Sequence, residues 1–459
     1  MLPCRVQAVG RPMNLTSHAG LTLVVETLMA ARLDDVVRAT LQIRRRKRGF
    51  DEYDKLQALV LLLTAGGECV EDVKRLRDDE ALARLIGRST PAPDGLHDFL
   101  RAFHAEAELL RRPASGAFIP QESAALSALG RVNDEWIRRV VGPSAPTVAT
   151  LDLDATVIES YKEEALPNYL GSTGYQPTLV VWAEEDLIVA DQFRDGNVPA
   201  GLRTQEVAAR AFAALPATVK QRFFRADSAC YDARILKWLC REEIQFTISA
   251  SMSRELSAAC RDPALRWQVY EDRKREVVAL TEVEFTSGNW PKKAPPLRYV
   301  ALRFSGKQGR LFSDGNDTKY LAVVSNRRAL PAADLIEWHW QKAGTIEHVH
   351  DTMKNDLATR LMPSKRFGAN AAWHRINVLT YNVLTTLKRN ALPARFRQAR
   401  PKRLRFEVFT LPAVLTEHAR QVTAQLGASP LAVDELIAAR ARLIDLHAAI
   451  GSFLDEKIA

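Results

Sequence analysis

The spacing of apolar residues divides the chain into helical and strand-forming regions. From about residue 18 to residue 140, apolar residues recur at intervals of three and four, which predicts helices. The clearest stretches are 21–33, 53–64, 70–76 and 96–109. We therefore expect an all-helical N-terminal domain over residues 1–140. Its short helices suit a helix-turn-helix that binds DNA ends, although a bundle made only for packing has the same pattern.

Near residue 147 the pattern changes to the alternation of apolar and polar residues that is typical of strands. The predicted strands are 147–158, 178–183, 187–193, 222–226 and 245–249. One helix is predicted over 204–215 between the third and fourth strands, and another runs up to Cys240 before the fifth. The predicted order is therefore three strands, a helix, a strand, a helix and a strand.

The rest of the chain alternates between strand-rich and helical sequence. Residues 266–326 are strand-rich and contain turn sequences, whereas 332–360 return to helical spacing. We expect a core in two parts, 141–265 and 327–390, interrupted by a β-rich insertion over 266–326. The C-terminal region, 391–459, is predicted to be basic and helical, with a short strand at 405–409.

Composition indicates a globular protein that can bury a core. The chain has 459 residues, of which 47% are hydrophobic and 26% are charged. Its five cysteines show no paired short spacing, so neither a zinc site nor a disulfide framework is predicted. The longest apolar run, 58–65, is far shorter than the roughly 20 residues that cross a bilayer. We expect no membrane contact and a cytoplasmic location.

The formal net charge of +9 favours a polyanionic partner. Two stretches concentrate the positive charge. The compact run consists of Arg44, Arg45, Arg46, Lys47 and Arg48. The looser run consists of Arg395, Arg397, Arg400, Lys402, Arg403 and Arg405. Each run could contact phosphates or could be a solvated loop, and the sequence leaves both alternatives open.

Carboxylates occupy positions that suit phosphoryl-transfer chemistry. A two-metal site needs oxygen ligands that hold two Mg²⁺ ions about 3.5–4 Å apart. Asp152 and Asp154 lie inside an otherwise apolar strand, where unpaired charge is costly. Asp227 closes the strand 222–226, although it would also serve as a helix N-cap. Glu347 lies on a polar helix face, where it could equally be a solvated residue.

At these residues the chain resembles the DDE transposases of bacterial insertion sequences, specifically the branch named after insertion sequence 1380. The resemblance spans nearly the whole chain. It rests on these motifs: Leu15-Thr-Ser-His-Ala-Gly20, Thr150-Leu-Asp-Leu-Asp-Ala-Thr156, Gly174-Tyr-Gln-Pro177, Arg194-Asp-Gly-Asn197, Arg225-Ala-Asp-Ser228, and Ile346-Glu347 with Lys354. Each motif is moderately specific, and their order together with the β insertion makes the joint signal strong.

The resemblance implies a ribonuclease-H-like α/β fold with a mixed sheet. It implies that Asp154, Asp227 and Glu347 are catalytic and bind two Mg²⁺ ions, for which Mn²⁺ can substitute. It further implies cut-and-paste movement of an insertion sequence. The partners would be the double-stranded DNA of terminal inverted repeats and of the target, and the protein would work as a homodimer or a larger assembly because two ends must be joined.

The chain departs from the family pattern ahead of the glutamate. Related transposases carry tyrosine and arginine there, whereas this chain has Trp340 and Lys342, with Ala343 four residues before Glu347. The basic contact expected from Lys342 is therefore in doubt. Lys354 lies seven residues after Glu347 and so on the same helix face, where its ammonium could hold a phosphate or simply be exposed.

Three further residues need an interpretation. His348 and His350 flank the glutamate, but residues two apart on a helix face different directions, so we do not expect them to be metal ligands. Trp290 could stack on a flipped base, although core packing is the more favoured role. Asp152 is expected to support Asp154 or to form a salt bridge inside the sheet.

Two alternatives to a transposase stay open at this point. One is a ribonuclease-H-like nuclease without strand transfer, which would fail to join pre-cleaved ends. The other is a non-catalytic DNA-binding protein derived from a transposase. Such a protein would be expected to lack at least one carboxylate, and all three are present.

Overall fold

A computed structural model describes residues 14–43, 48–307, 312, 315–419 and 421–456. Its central feature is a nine-stranded mixed sheet, around which helices from the N-terminal and C-terminal parts of the chain are packed. Within the ranges described, no helix is both long enough and apolar enough to cross a membrane.

The N-terminal part is helical up to Val141, as the apolar spacing predicts. After a two-residue strand, β1 (Leu15–Thr16), the helices α1 to α8 are Thr22–Ala30, Leu33–Thr40, Glu52–Ala65, Val73–Arg77, Glu80–Leu85, Pro93–Arg101, Glu106–Leu109 and Ala124–Val141. Local chemistry fixes their ends. At the start of α3, Asp51 and Asp54 form a reciprocal capping box, and the helix stops at Gly66, whose φ of 95° suits glycine.

The core of the sheet follows the predicted order. Its first strand, β2, is Val148–Ala155, and a small separate sheet is formed by β3 (Ile158–Glu159), β4 (Leu166–Pro167) and β5 (Thr173–Tyr175). The remaining core elements are β6 (Thr178–Trp182), β7 (Leu187–Gln192), α9 (Thr204–Ala214), β8 (Gln221–Ala226), α10 (Ala233–Arg241) and β9 (Gln245–Ser249).

The pairing of these strands is that of a ribonuclease-H-like core. They lie in the order β7-β6-β2-β8-β9, in which β6 is antiparallel to β2 whereas β8 is parallel to β2 and β9 is parallel to β8. Parallel neighbours need a crossover connection, which α9 and α10 provide. The predicted fold class is confirmed.

A short helix, α11 (Arg254–Cys260), precedes the predicted insertion, which is built of β10 (Gln268–Asp272), β11 (Glu276–Val283), β12 (Arg298–Gly306) and β13 (Thr318–Ser325). Its strands form an antiparallel meander, and β13 pairs with β9 so that Val324 lies opposite Ile248. The insertion therefore extends the core sheet. One of its faces, which includes Val300 and Leu302, packs against Leu335 of the following helix.

The C-terminal part contains α12 (Ala332–Lys342), α13 (His348–Asp356), α14 (Phe367–Asn390), α15 (Pro401–Leu404), β14 (Ala413–His418), β15 (Gln421–Leu426) and α16 (Pro430–Glu456). The strand predicted at 405–409 was wrong, because Arg405–Phe409 is a π-helical turn. Polar and apolar residues alternate over 405–408 and imitate a strand. However, Leu404 and Val408 lie four apart and are both buried, which is helical spacing.

The helix α14 connects the N-terminal helices to the sheet. It is buried along nearly its whole length and packs against α1, α3, α6, α8 and β7. Its Arg375 donates to Asp191 of β7 at 2.9 Å and to Glu122, just before α8, at 2.8 Å. The boundary proposed near residue 140 therefore separates helical from sheet sequence inside one continuous hydrophobic core.

Candidate active site

Two aspartates lie side by side at the ends of adjacent parallel strands. Asp154 is near the end of β2 and Asp227 directly follows β8, and the register that pairs Leu153 with Ala226 makes the two aspartates neighbours. Asp227 also accepts a hydrogen bond from the backbone N–H of Ala229 at 3.1 Å. It therefore has the N-cap role that the sequence left open, in addition to its place beside Asp154.

Glu347 reaches the same edge from a distorted helix. It is the last residue of the π-helical segment Ala343–Glu347, which joins α12 to α13 and packs against β2 and β6. Ile346 is buried in the core, whereas Glu347 is exposed. Single π-turns inside helices are rare and occur frequently at functional sites.

The electrostatics of Asp154 show that the three carboxylates are close. The pKa of Asp154 is raised to about 6, mainly by burial and also by the charges of Asp227 and Glu347, while the ammonium of Lys342 acts in the opposite direction. Negative charge is thus concentrated at this edge of the sheet. Such a concentration favours a bound cation.

Two lysines accompany these carboxylates. Lys342 lies close enough to Asp154 to oppose the increase in its pKa. Lys354 is partly buried on α13, and burial lowers its pKa while the carboxylates of Asp154 and Asp351 act in the opposite direction. The structure therefore places both Lys342 and Lys354 near Asp154. For Lys342 this position was uncertain from the sequence, because the chain departs from the family pattern ahead of Glu347.

Asp152 has a different role from Asp154. Its fully buried carboxylate accepts hydrogen bonds from Nε of Arg225 at 2.6 Å and from Nη2 at 2.8 Å. The same carboxylate accepts the hydroxyl of Thr345 in the π-helical segment, and Arg225 also donates to the carbonyl of Trp338 at 2.7 Å. The predicted salt bridge of Asp152 is confirmed. It fastens the helix that carries Glu347 to the sheet.

The two histidines beside Glu347 point in different directions, as predicted. His348 is exposed, whereas His350 is 7% exposed and its Nε2 lies 3.7 Å from Oδ2 of Asp154. The pKa of His350 is lowered to about 3, mainly by burial and also by the nearby Lys354, His374 and Lys342. Its ring is therefore neutral at pH 7.

Two further residues predicted to contact DNA, Trp290 and Arg48, lie on other elements of the molecule. Trp290 is 8% exposed, and its ring N–H donates to the carbonyl of Pro295 at 3.1 Å, which favours the core-packing alternative. Arg48 is exposed between α2 and α3. The other members of that run, Arg44, Arg45, Arg46 and Lys47, lie outside the described residues.

Most of the looser basic run is used inside the protein. Arg395 pairs with Glu435, Arg400 with Asp351 and Asp356, Lys402 with Asp356, and Arg403 with Glu407. Arg405 donates to the backbone carbonyls of Leu63 and Thr64 at 2.8 and 2.7 Å. These contacts reduce the positive charge that this stretch can offer to phosphates.

Sequence reasoning missed the roles of Arg225 and His350. Arg225 lies directly opposite Asp152 in the register of β2 and β8. The available signal was a basic residue between two buried apolar residues, Phe224 and Ala226, where an unpaired charge is costly. For His350, the signal was its position three residues after Glu347, on the same helix face.

The donor set suits a hard divalent cation, although the side chains do not form a closed ligand cluster. Carboxylate oxygens are the ligands that Mg²⁺ and Mn²⁺ prefer. Across the described part of the chain, no group of three or more His, Cys, Asp or Glu side chains is arranged to hold a metal ion. The backbone brings the three carboxylates to one edge, and repulsion between like charges opposes their convergence.

The chain matches a known protein family over almost its whole length. The family described as "Transposase DDE domain group 1" matches residues 2–448. No curated protein matches the chain. Among solved structures, a cryo-EM structure of the piggyBac transposase synaptic complex with hairpin DNA is similar, with a TM-score of 0.44 and 11% sequence identity. The similarity covers 94% of this chain and 81% of that one.

Proposed function

The chain belongs to the Transposase DDE domain group 1 family, and we propose that it is an active transposase that moves an insertion sequence by cut and paste. It would bind terminal inverted repeats, cleave the strands at the element ends, and transfer the freed 3′ hydroxyls to target DNA. The observation that supports this proposal is geometric: Asp154 and Asp227 lie at the ends of neighbouring parallel strands, and the π-helical segment that ends at Glu347 packs against β2.

Transposases of the DDE type use divalent metal ions. We propose that Asp154, Asp227 and Glu347 hold two Mg²⁺ ions, which Mn²⁺ can replace. When bound, the ions would activate the attacking hydroxyl and stabilise the departing oxygen. The Arg225–Asp152 salt bridge would position the glutamate by fixing its helix on the sheet.

The DNA contacts nearest the chemistry would come from the two lysines. Lys342 and Lys354 both lie near Asp154. An ammonium on a flexible stem can follow a phosphate as the strands are exchanged. We propose that these lysines hold the backbone phosphates beside the scissile bond, while the basic run that ends at Arg48 contacts the inverted repeat farther away.

The assembly and the location are part of the same proposal. Joining two element ends to one target requires two active sites, so we propose a homodimer or a larger assembly on DNA. The motifs quoted above favour the branch named after insertion sequence 1380. The substrate of such an enzyme is bacterial DNA, so we propose that it acts in the cytoplasm.

The test uses the purified full chain with the DNA that flanks its own gene. Wild-type protein with Mg²⁺ is expected to cleave at the element ends and to join pre-cleaved 3′ ends to a second duplex. Asp154→Ala, Asp227→Ala and Glu347→Ala are each expected to abolish both reactions and to leave repeat binding intact. Glu255→Ala, an exposed carboxylate on α11, is the control and should behave like wild type.

Two results would contradict the proposal. Cleavage without joining by the wild type would indicate a nuclease of the same fold. Repeat binding with neither reaction would indicate a DNA-binding protein that has lost its chemistry.

A further inference from the structure

A buried histidine beside Asp154 lacks the hydrogen bonds that its burial requires. His350 lies on α13, one turn after Glu347, and its side chain is 8% exposed. Neither Nδ1 nor Nε2 has a hydrogen-bond partner among the described residues. An imidazole always carries at least one N–H donor, so a buried donor is unpaired here. Unpaired buried polar groups are rare in native proteins and call for an explanation.

A second buried histidine shows how this fold treats a purely structural imidazole. His339 lies on α12, in the same helical stretch, and is 5% exposed. Its Nδ1 is 2.9 Å from the hydroxyl of Thr247, and its Nε2 is 3.0 Å from the hydroxyl of Ser249. Both of its nitrogens are satisfied by fixed neighbours. His350 has no such arrangement at either nitrogen.

The unpaired Nε2 lies near an acceptor of the proposed active site. It lies 3.7 Å from Oδ2 of Asp154, about 1 Å beyond an ordinary hydrogen bond. The charged groups around the ring, Lys342 and Lys354, and the neighbouring His374 offer it no hydrogen bond among the described contacts. A small shift of the Asp154 carboxylate would therefore supply the missing partner.

We propose that His350 is a positioning residue for Asp154, donating from Nε2 to Oδ2 and so orienting the carboxylate for a divalent cation. This inference rests on the proposed function. Carboxylates that bind metals are usually held by hydrogen bonds to their other oxygen, and removing such a partner typically costs 10–100-fold in metal affinity. A neutral imidazole can donate this hydrogen bond without placing a positive charge beside the cation. A lysine ammonium in the same position would repel the cation.

The test measures Mn²⁺ binding by the full chain without DNA, using the electron paramagnetic resonance signal of free Mn²⁺. His350→Leu is expected to weaken binding by about 10–100-fold. Its melting temperature without metal is expected to be no lower than that of the wild type, because the change removes an unpaired polar group. His348→Leu, at the exposed neighbouring position, is the control and should bind Mn²⁺ like the wild type.

A pair of amide variants keeps the test decisive if His350→Leu does not fold. His350→Gln can place an amide N–H near the position of Nε2 and should retain most of the Mn²⁺ affinity. His350→Asn is too short to do so and should lose it. Equal affinities in these two variants would overturn the inference.

Asp154→Asn separates failure of this inference from failure of the proposed function. If Asp154→Asn abolishes Mn²⁺ binding while His350→Leu binds like the wild type, the metal site stands and the role of His350 is wrong. If the wild type binds no Mn²⁺, or Asp154→Asn leaves binding unchanged, the proposed metal site itself fails, and the role of His350 fails with it.

Discussion

Replacing Asp152 by alanine tests whether the buried salt bridge holds the active-site helix on the sheet. The change removes the acceptor of two hydrogen bonds from Arg225, at 2.6 and 2.8 Å. The Arg225 side chain is 3% exposed, so water cannot readily replace the lost carboxylate. Arg225 would keep its bond to the carbonyl of Trp338 and its stacking over that ring, 5.1 Å from the centroid.

The expected cost follows from what is left unpaired. Each hydrogen bond to a charged group contributes about 1.5–3 kcal/mol. Breaking a buried ion pair by removing one partner costs about 3–5 kcal/mol, since a buried charge is left uncompensated. We expect Asp152→Ala to lower the free energy of unfolding by that amount.

Equilibrium unfolding in urea, followed by tryptophan fluorescence, measures the change. The control is a double-mutant cycle with Arg225→Met. The double variant should be destabilised less than Asp152→Ala alone, because no buried charge remains. A loss below about 1 kcal/mol for Asp152→Ala, or additive losses in the cycle, would refute the reasoning.

The same variant separates the two aspartates of β2 by function. Asp152→Ala should retain some Mg²⁺-dependent cleavage below its unfolding temperature, because Asp152 is not a proposed metal ligand. Asp154→Ala should be inactive. The reverse pattern in the cleavage assay would exchange the roles assigned to these residues.

The remaining predictions concern charge. The pKa of Asp154 is raised to about 6 from an ordinary value of 3.8, so the folded state binds this proton more tightly than the unfolded chain, and stability falls as pH rises between those two values. Asp154→Asn removes this loss. In differential scanning fluorimetry without metal, its melting temperature should therefore exceed that of the wild type at pH 7.5 but not at pH 3.5. Added MgCl₂ should raise the melting temperature of the wild type only. Lys354→Ala should reduce the slope of log affinity for repeat DNA against log salt by about 0.9, the value for one phosphate contact, as measured by fluorescence anisotropy. Replacing residues 44–48 by serine should flatten that slope by several times as much; an unchanged slope would leave the run as a solvated loop.

Local sequence patterns predicted most of the elements, and the motifs that resemble those of DDE transposases supplied the catalytic candidates. Alternation around Asp152 and Asp154 predicted β2, and the apolar strand that ends before Asp227 predicted β8. These predictions succeeded because the strand and helix periods repeat every few residues and can be recognised in a short stretch of sequence. Two predictions for the C-terminal region were wrong. The strand at 405–409 failed because a stretch of five residues can fit both periods, and the strands β14 and β15 lie where only helix was expected.

Only the tertiary structure decided which distant residues meet. Arg225 and Asp152 are 73 residues apart in sequence, and Thr345 is 193 residues from Asp152. The pairing of β13 with β9, which merges the insertion into the core sheet, likewise depends on register between separate strands. The unpaired ring of His350 becomes visible only when its surroundings are assembled. Burial and hydrogen bonding depend on everything packed around a residue, and no local period encodes those neighbours.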